Sequence, residues 1–354
     1  MKILAIETSC DETAASIVEA TDDGQLNVLT NVVASQLKVH AKTGGVIPDI
    51  AARLHAEALT RVLEEATQKQ QLEYDTVAIT SGPGLIGCLL IGLSAAKTIA
   101  MVSGKPIYPI NHLEGHLYSA WLTPSKVEGL SPSTPDLPAL VVIVSGGHTE
   151  LVLMEKHLTY QLLGSTRDDA AGEAFDKVAR LLGLPYPGGP AISQLAREGN
   201  DQAYHLPISL PEKDSLEFSF SGLKAAVAGL VSKLPTPLPR HIKADVAASF
   251  QKTVADTIVR KLLAALEQNP QVRSVCLVGG VAANERLRVD LEQAVHQFDR
   301  RIEFFVPELK YCTDNAAMIG AAAVFHALYG LPRAGSRGQP ADWSDIEADP
   351  NQNL

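Results

Sequence analysis

Cysteine and long apolar runs are scarce in this sequence. Its 354 residues include four cysteines, which lie far apart and form no C-x-x-C pair: Cys10, Cys88, Cys276 and Cys312. This spacing disfavours a structural zinc site and a disulfide framework, and reduced thiols fit a reducing cytosol. No apolar run reaches the roughly 18 to 20 residues of a membrane span. The short apolar stretch at the N-terminus is interrupted by Glu7 and is predicted to be a first β-strand, not a signal peptide. We therefore expect a cytoplasmic protein without a membrane span.

Positive charge is also in deficit. The chain has 40 acidic and 30 basic side chains, for a formal net charge of −10. A protein that binds nucleic acid by itself usually has a basic face, so the charge disfavours that class. If RNA is the substrate, its contacts must come from a partner or from local basic patches. The candidate patches are Arg240 with His241 and Lys243, Arg286 with Arg288, and Arg300 with Arg301.

Two parts of the sequence share a pattern of strand, polar turn and second strand. Residues 2–19 have it around a turn at 8–13, and residues 139–155 have it around a turn at 145–149. Each hairpin is followed later by a strand, a glycine loop and a helix, at 76–102 and at 274–297. This double pattern predicts an α/β protein with two ribonuclease-H-like lobes, the actin-like ATPase (ASKHA) plan. In that plan, paired turns bind phosphates in a cleft between the lobes.

Amphipathic helices are predicted between these units, at about 50–70, 169–182, 223–234 and 244–267. Residues 82–87 match the G-x-G-x-x-G dinucleotide fingerprint, but no carboxylate follows where the fingerprint places its ribose-binding residue. We therefore reject dinucleotide binding.

A pair of histidines is the strongest chemical signal. His112 and His116 are four residues apart, which places them about 40° apart on one helical face, the spacing of metal ligands. Glu114 lies about 200° from His112, so the pattern is not the H-E-x-x-H of a zinc peptidase. Asp314, before a helix of small residues, is a candidate third ligand. Two imidazoles and a carboxylate leave open positions on iron, zinc or manganese. The alternatives are histidines that pack a helix, and an aspartate that caps one.

Acidic residues mark two further candidate positions. Asp11 lies in the first hairpin turn, where it is either a catalytic group or a turn-forming residue. Asp169, Glu173 and Asp176 recur at helical spacing among alanines and a glycine. They are either a solvated acidic face or the small-sided wall of a ligand site.

These motifs together closely resemble the TsaD family. The matching stretches run in order over residues 1 to about 330: 6–13, 44–48, 81–84, 112–116, 145–149, 171–177, 186–190, 218–224, 279–281 with Asn284, and 312–315. Asp49 departs from the family's usual Glu.

The resemblance implies transfer of a threonylcarbamoyl group from threonylcarbamoyl-AMP to N6 of adenosine 37, in tRNAs that read codons beginning with A. It implies one divalent metal, Fe²⁺ or else Zn²⁺, bound by His112, His116 and Asp314. It implies tRNA, a TsaB-like paralogue and a TsaE-like ATPase as partners. Asp11 and His148 are the candidate catalytic residues, and the implied adenylate site consists of Ile143, Val144, Ser145, Gly146, Gly147, Asp176, Gly189 and Asn284.

The expected domains are an N-terminal lobe at 1–110 and a C-terminal lobe at 111–330 that holds the metal and adenylate site. A helix expected at about 315–330 is a candidate to pack back on the first lobe. The tail, residues 333–354, is polar and is predicted to be disordered. Three rival functions remain. A small-molecule kinase on this fold would need no histidine pair, and a metallopeptidase would need a glutamate directly after His112, where this chain has Leu113. A non-catalytic paralogue would have lost the metal ligands.

Overall fold

The computed structural model describes residues 1–21, 25–67, 73–122, 134–210, 212, 215–330 and 340–354. The strands, in chain order, are β1 Lys2–Glu7, β2 Glu12–Ala20, β3 Leu26–Ser35, β4 Thr76–Gly82, β5 Ile107–Asn111, β6 Ala139–Val144, β7 Thr149–Lys156, β8 Thr159–Ser165, β9 Ser274–Val278 and β10 Glu303–Phe305. The α-helices are α1 Leu37–His40, α2 Pro48–Thr67, α3 Ile86–Ser103, α4 His112–Ser119, α5 Ala171–Leu181, α6 Gly188–Ala196, α7 Ser221–Val231, α8 Arg240–Gln268, α9 Glu285–Phe298, α10 Leu309–Cys312 and α11 Ala316–Tyr329.

The chain divides into two units. Unit 1 comprises Met1–Thr134, Lys156–Thr159 and Pro307–Leu354, and unit 2 comprises Pro135–Glu155 and Tyr160–Val306. The boundary therefore lies near residue 134 and not at 110 as expected from the sequence. Its physical basis is that β5 pairs with β4 and α4 packs on α11, which keeps residues 107–119 with the first sheet. His112 and His116 consequently belong to unit 1, together with Asp314.

The sheets of the two units repeat one pattern. In the described part of the chain, unit 1 has the strand order β3-β2-β1-β4-β5 and unit 2 has the order β10-β9-β6-β7-β8. In each, the first strand of a hairpin pairs antiparallel with its partner and parallel with a later strand, β1 with β4 and β6 with β9. The central strands are buried along their length, as apolar parallel strands covered on both faces are. This is the duplication that the sequence pattern predicted.

Helix α11 is the central packing element of unit 1. Its residues from Ala316 to His326 are all buried, and it packs on β1, β2 and α4. Small side chains allow this close approach, because a Cβ added at Gly320 would lie 2.5 Å from Val18 Cγ2. The helix begins at Asn315, whose side chain accepts a hydrogen bond from Met318 N. Asp314 is thereby held immediately before a rigid helix.

The described part of the tail packs on unit 1, contrary to the predicted disorder. Ala341 N donates to Ile107 O at 2.9 Å, and Asp349 N donates to Ser81 O at 2.9 Å. Ile346 is buried in the core cluster formed with β1, β4 and α3. Residues 333–339 lie outside the described residues. A polar composition did not reveal this docking, because it depends on a few small apolar contacts, from Ile346, Ala341 and Ala348, and on scattered hydrogen bonds.

Helix α3 bears on the expectation that no apolar segment has membrane-spanning length. It has 18 residues with a mean hydropathy of 1.8, enough by length and composition alone to cross a membrane, and 33% of it is buried. Among the described residues it is the one helix of this kind. The core helices of soluble proteins pass the same test, so the observation is weak.

Candidate functional site

Helix α4 presents two buried imidazoles. Asn111 caps it, with Oδ1 accepting from Leu113 N at 2.8 Å and from Glu114 N at 3.4 Å. This cap starts the helix at His112, so His112 and His116 fall on successive turns of one face, as the spacing predicted. Their ring centroids are 4.8 Å apart, and the side chains are 9% and 0% exposed.

Asp314 meets both histidines. Its Oδ1 lies 3.5 Å from His112 Nε2 and 3.3 Å from His116 Nε2. The three candidate ligand atoms lie within 4.8 Å of one another. Neither ring nitrogen of His116 makes a hydrogen bond to the described residues, although the ring is fully buried. An unsatisfied imidazole beside a second imidazole and a carboxylate fits the donor set of a divalent cation.

The electrostatics of this group also favour a cation. Burial alone would lower the pKa of His112, but the carboxylates of Asp314 and Glu7 raise it to about 9. Burial and the neighbouring carboxylates of Asp11 and Asp314 raise the pKa of Glu12 to about 9. Carboxylates are therefore crowded around the two histidines. Asp11, in the turn between β1 and β2, belongs to this acidic surrounding.

Glu7 is a functional candidate that sequence reasoning did not single out. It is the last residue of β1 and is fully buried, and its Oε2 lies 3.2 Å from His112 Nδ1. Burial would raise its pKa, but the charge of His112 and their hydrogen bond hold it below the ordinary value. A carboxylate that ends an otherwise apolar strand was the available signal. Glu114 points elsewhere, as predicted, and accepts a hydrogen bond from His326 Nε2 at 2.9 Å.

The second group of candidates surrounds the turn after β6 in unit 2. Ile143 and Val144 are buried strand residues that lead into this turn. Ser145 N donates to His148 O at 2.8 Å, and His148 N donates to Ser145 Oγ at 3.0 Å, which closes the turn.

Glycines open this turn to an approaching ligand. Gly146 and Gly147 are exposed, and a Cβ added at either would meet nothing within 4 Å, so a ligand can approach their backbone. Gly172 lies against the other side, since its N donates to Ser145 O at 3.2 Å.

The remaining predicted adenylate residues form one continuous path from that turn. Asp176 is on α5, the helix that contains Gly172, and its Oδ1 accepts from Gly188 N at 2.7 Å. Gly189 follows on α6, with open space where a Cβ would lie. Asn284 Nδ2 donates to Ser193 Oγ, also on α6, at 2.9 Å.

The side chains on this path are already engaged within the protein. Asn284 Nδ2 also donates to Gln251 Oε1 at 3.0 Å, and its Oδ1 caps α9. Asp169 and Glu173 are not part of a shared acidic wall with Asp176. Both pair with Lys177, at 2.7 and 2.8 Å.

The candidate basic patches are largely neutralised. Arg240 pairs with Glu198 at 2.7 Å, and Arg301 pairs with Asp299 at 2.6 Å. Arg286 binds two carboxylates, those of Asp201 at 2.9 Å and Asp290 at 2.6 Å. These guanidinium groups are therefore less available to phosphates than their sequence clustering indicated.

Comparisons with known proteins identify one family. A profile of the family described as TsaD, tRNA N6-adenosine threonylcarbamoyltransferase, matches residues 27–321. A protein of that name from Moorella thermoacetica is 50% identical over 329 residues, 92% of this chain and 92% of that protein. Another from Brucella ovis is 48% identical over 343 residues, 94% of this chain and 92% of that protein.

Solved structures support the fold. Full-length HypF in a phosphate- and nucleotide-bound form aligns with a TM-score of 0.57 at 13% identity, over 93% of this chain and 47% of HypF. HypF from T. kodakarensis aligns with a TM-score of 0.54 at 12% identity, over 91% of this chain and 47% of that protein. The chain thus spans about half of each HypF. The predicted ASKHA-type α/β fold is confirmed.

Proposed function

The chain belongs to the TsaD family of tRNA N6-adenosine threonylcarbamoyltransferases, and we propose that it modifies adenosine 37 of tRNAs that read codons beginning with A. The observation that carries this proposal is the gathering of His112, His116 and Asp314 in a chain half identical to enzymes of that name. A non-catalytic paralogue would have no reason to keep the buried His116 ring without a hydrogen bond to the described residues, beside His112 and Asp314.

In the proposed reaction, threonylcarbamoyl-AMP is the donor. A bond forms between adenosine N6 and the carbamoyl carbon, and the bond from that carbon to the phosphate oxygen breaks. AMP leaves with the electron pair of that bond, and N6 loses a proton to a base. Because an amino group on an adenine ring is a poor nucleophile, the principal task of the protein is to hold the reacting atoms in place.

His112, His116 and Asp314 would hold the divalent cation, and we propose Fe²⁺, with Zn²⁺ as the alternative. A cation with open positions orients a phosphate and polarises a carbonyl. The open backbone at Gly146 and Gly147 would bind the adenylate anion. Gly189 offers a second such backbone, and the contacts of Asp176 and Asn284 fix the helix that carries it.

Two residues are proposed to handle the proton. Asp11 lies in the acidic surrounding of the metal centre, where a carboxylate can accept a proton from the amine. His148, in the turn that would bind the anion, is the second candidate. A stability loss in Asp11→Asn with transfer activity retained would assign Asp11 to the turn alone.

The partners are proposed by the same resemblance: a TsaB-like paralogue and a TsaE-like ATPase, in the cytoplasm. One feature of unit 1 supports a protein partner. Ile86, Leu90 and Met101 of α3 are about half exposed and recur along one side of the helix. If this side binds the paralogue, Leu90→Asp should abolish association in analytical ultracentrifugation without lowering the thermal midpoint of the isolated chain.

One experiment tests the proposed function against the rival kinase function. The chain is incubated with tRNA transcript, threonylcarbamoyl-AMP and the candidate partners, and nucleosides are analysed by mass. We expect threonylcarbamoyladenosine, lost in His112→Ala, His116→Ala and Asp314→Ala together with bound metal. His296→Ala, which removes an exposed histidine, is the matched control and should change neither quantity. Full metal content and activity in all three ligand variants would overturn the assignment.

A further inference from the structure

We propose that Glu7 is a positioning residue of the metal centre: its carboxylate orients the His112 ring so that Nε2 faces the cation. The inference rests on the proposed metal site and adds a residue to it. Glu7 touches neither Asp314 nor His116 through any described hydrogen bond, so its role would act through His112.

The two nitrogens of His112 have different surroundings. Nδ1 lies 3.2 Å from Glu7 Oε2 and 3.2 Å from Ser9 Oγ. Nε2 faces the other way, toward Asp314 Oδ1 at 3.5 Å. A hydrogen bond from Nδ1–H to the carboxylate leaves the Nε2 lone pair directed at the position of the cation. Carboxylate partners of this kind fix the orientation of metal-binding histidines and strengthen them as ligands.

The Glu7 carboxylate is itself fixed. Ser9 N donates to Oε1 at 2.5 Å, and Thr80 Oγ1 donates to Oε2 at 2.5 Å. The strand register explains the second contact, because β1 pairs parallel with β4 and Ile6 lies opposite Ile79. The residue after each is then Glu7 and Thr80. The core sheet of unit 1 therefore sets the direction of a metal ligand on α4.

The partners of Glu7 offset the cost of burying its charge, so its structural contribution has to be separated from an orienting role. A fully buried carboxylate pays a large desolvation penalty, and glutamine has the same shape. Glutamine, however, can present an NH₂ group toward His112 Nδ1, and it is a weaker acceptor than a carboxylate. A purely structural role would therefore lower the stability of Glu7→Gln and leave the Zn²⁺ affinity of the folded variant unchanged, whereas an orienting role would weaken Zn²⁺ binding.

The test is a titration of the metal-free full-length chain with Zn²⁺, followed by calorimetry, for the wild type and Glu7→Gln. We expect the dissociation constant to rise about 10- to 100-fold. Co²⁺ gives a second readout, and its visible absorption bands should shift in the variant. Glu114→Gln is the matched control. It changes another buried carboxylate that pairs with a histidine, on α4 itself, and should alter the Zn²⁺ affinity less than threefold.

The outcomes separate the two proposals. Equal Zn²⁺ affinity and equal Co²⁺ spectra in wild type and Glu7→Gln would overturn the role of Glu7. Zn²⁺ binding that is unchanged in His112→Ala would overturn the metal centre itself. If Glu7→Gln does not fold, Thr80→Val decides: a threefold or larger rise in the dissociation constant supports the role, and an unchanged constant overturns it.

Discussion

Docking of the C-terminal segment can be tested through one side chain. Ile346 is 4% exposed and packs in the core cluster of unit 1 with Val77, Leu93 and Ile107. Ile346→Ala removes its buried methyl and methylene groups, and the lost transfer free energy plus the cavity term amounts to about 2 to 4 kcal/mol. At roughly 2 to 4 °C per kcal/mol for a domain of this size, the thermal midpoint should fall measurably.

The free energy of unfolding lost in Ile346→Ala has an upper limit. If the substitution detaches the tail, the loss cannot exceed the free energy that docking of residues 341–354 contributes. A chain that ends at Pro340 measures that contribution. Urea unfolding of the metal-free protein should thus rank wild type above Ile346→Ala, with the truncated chain equal or lower. Glu347→Ala is the control, since Glu347 is the exposed neighbour of Ile346, and it should cost about 0.5 kcal/mol or less.

Two results would contradict this reasoning. Unchanged stability in Ile346→Ala would mean that the tail contributes nothing, as its polar composition had suggested. A larger loss in Ile346→Ala than in the truncated chain would mean that the substitution acts through something other than undocking.

Three further predictions concern charge. Burial lowers the pKa of His157 from 6.5 to about 4, so the folded state keeps the ring neutral and stability is lost as the pH falls from about 6.5 toward 4. The free energy of unfolding lost is below about 1.4 kcal/mol per pH unit because the ring is partly exposed. Urea unfolding at pH 7 and pH 5 should show that His157→Phe removes this pH-dependent loss. The same pH dependence in the variant and the wild type would refute the prediction. Lys261 is buried and its ammonium donates to three backbone carbonyls. Lys261→Met should therefore lower the free energy of unfolding by about 1 to 3 kcal/mol, and the idea fails if the exposed Lys233→Met has the same effect. The chain alone should bind tRNA weakly, because it is acidic and Arg240 and Arg286 are held by carboxylates. Fluorescence titration at several salt concentrations should give a steeper slope for the complex with the proposed partners, by roughly 0.7 to 0.9 log units per added phosphate contact. Equal slopes would place the whole RNA site on this chain.

Local patterns in the sequence predicted the elements well. The helix that was expected to end the unit at 274–297 is Glu285–Phe298, and the one expected at 244–267 is Arg240–Gln268. The duplicated hairpins predicted the fold, and the four-residue spacing placed His112 and His116 on one face. These successes share a cause: hydrophobic periodicity and helix capping are set by residues a few positions apart.

Contacts between distant segments were decided by the tertiary structure alone. Asp314 reaches the histidines because α11 packs on α4, and Glu7 reaches His112 because β1, β4 and β5 are neighbours in one sheet. The predicted boundary at residue 110 separated the histidines from the sheet that orients them. No spacing in the sequence encodes such neighbours, since they depend on which apolar faces meet when the chain packs.

The tail shows the same division between sequence and structure. Its polar composition is typical of disordered segments. Ile346, which is buried in the described part of the tail, gives no sign in the sequence of the surface that receives it. The sequence by itself thus determined the helices and strands, the duplicated fold and the family. Only packing decided which carboxylates surround the candidate metal ligands and where residues 340–354 lie. Side chains far apart in sequence become neighbours only when the sheet and its helices close around a common core.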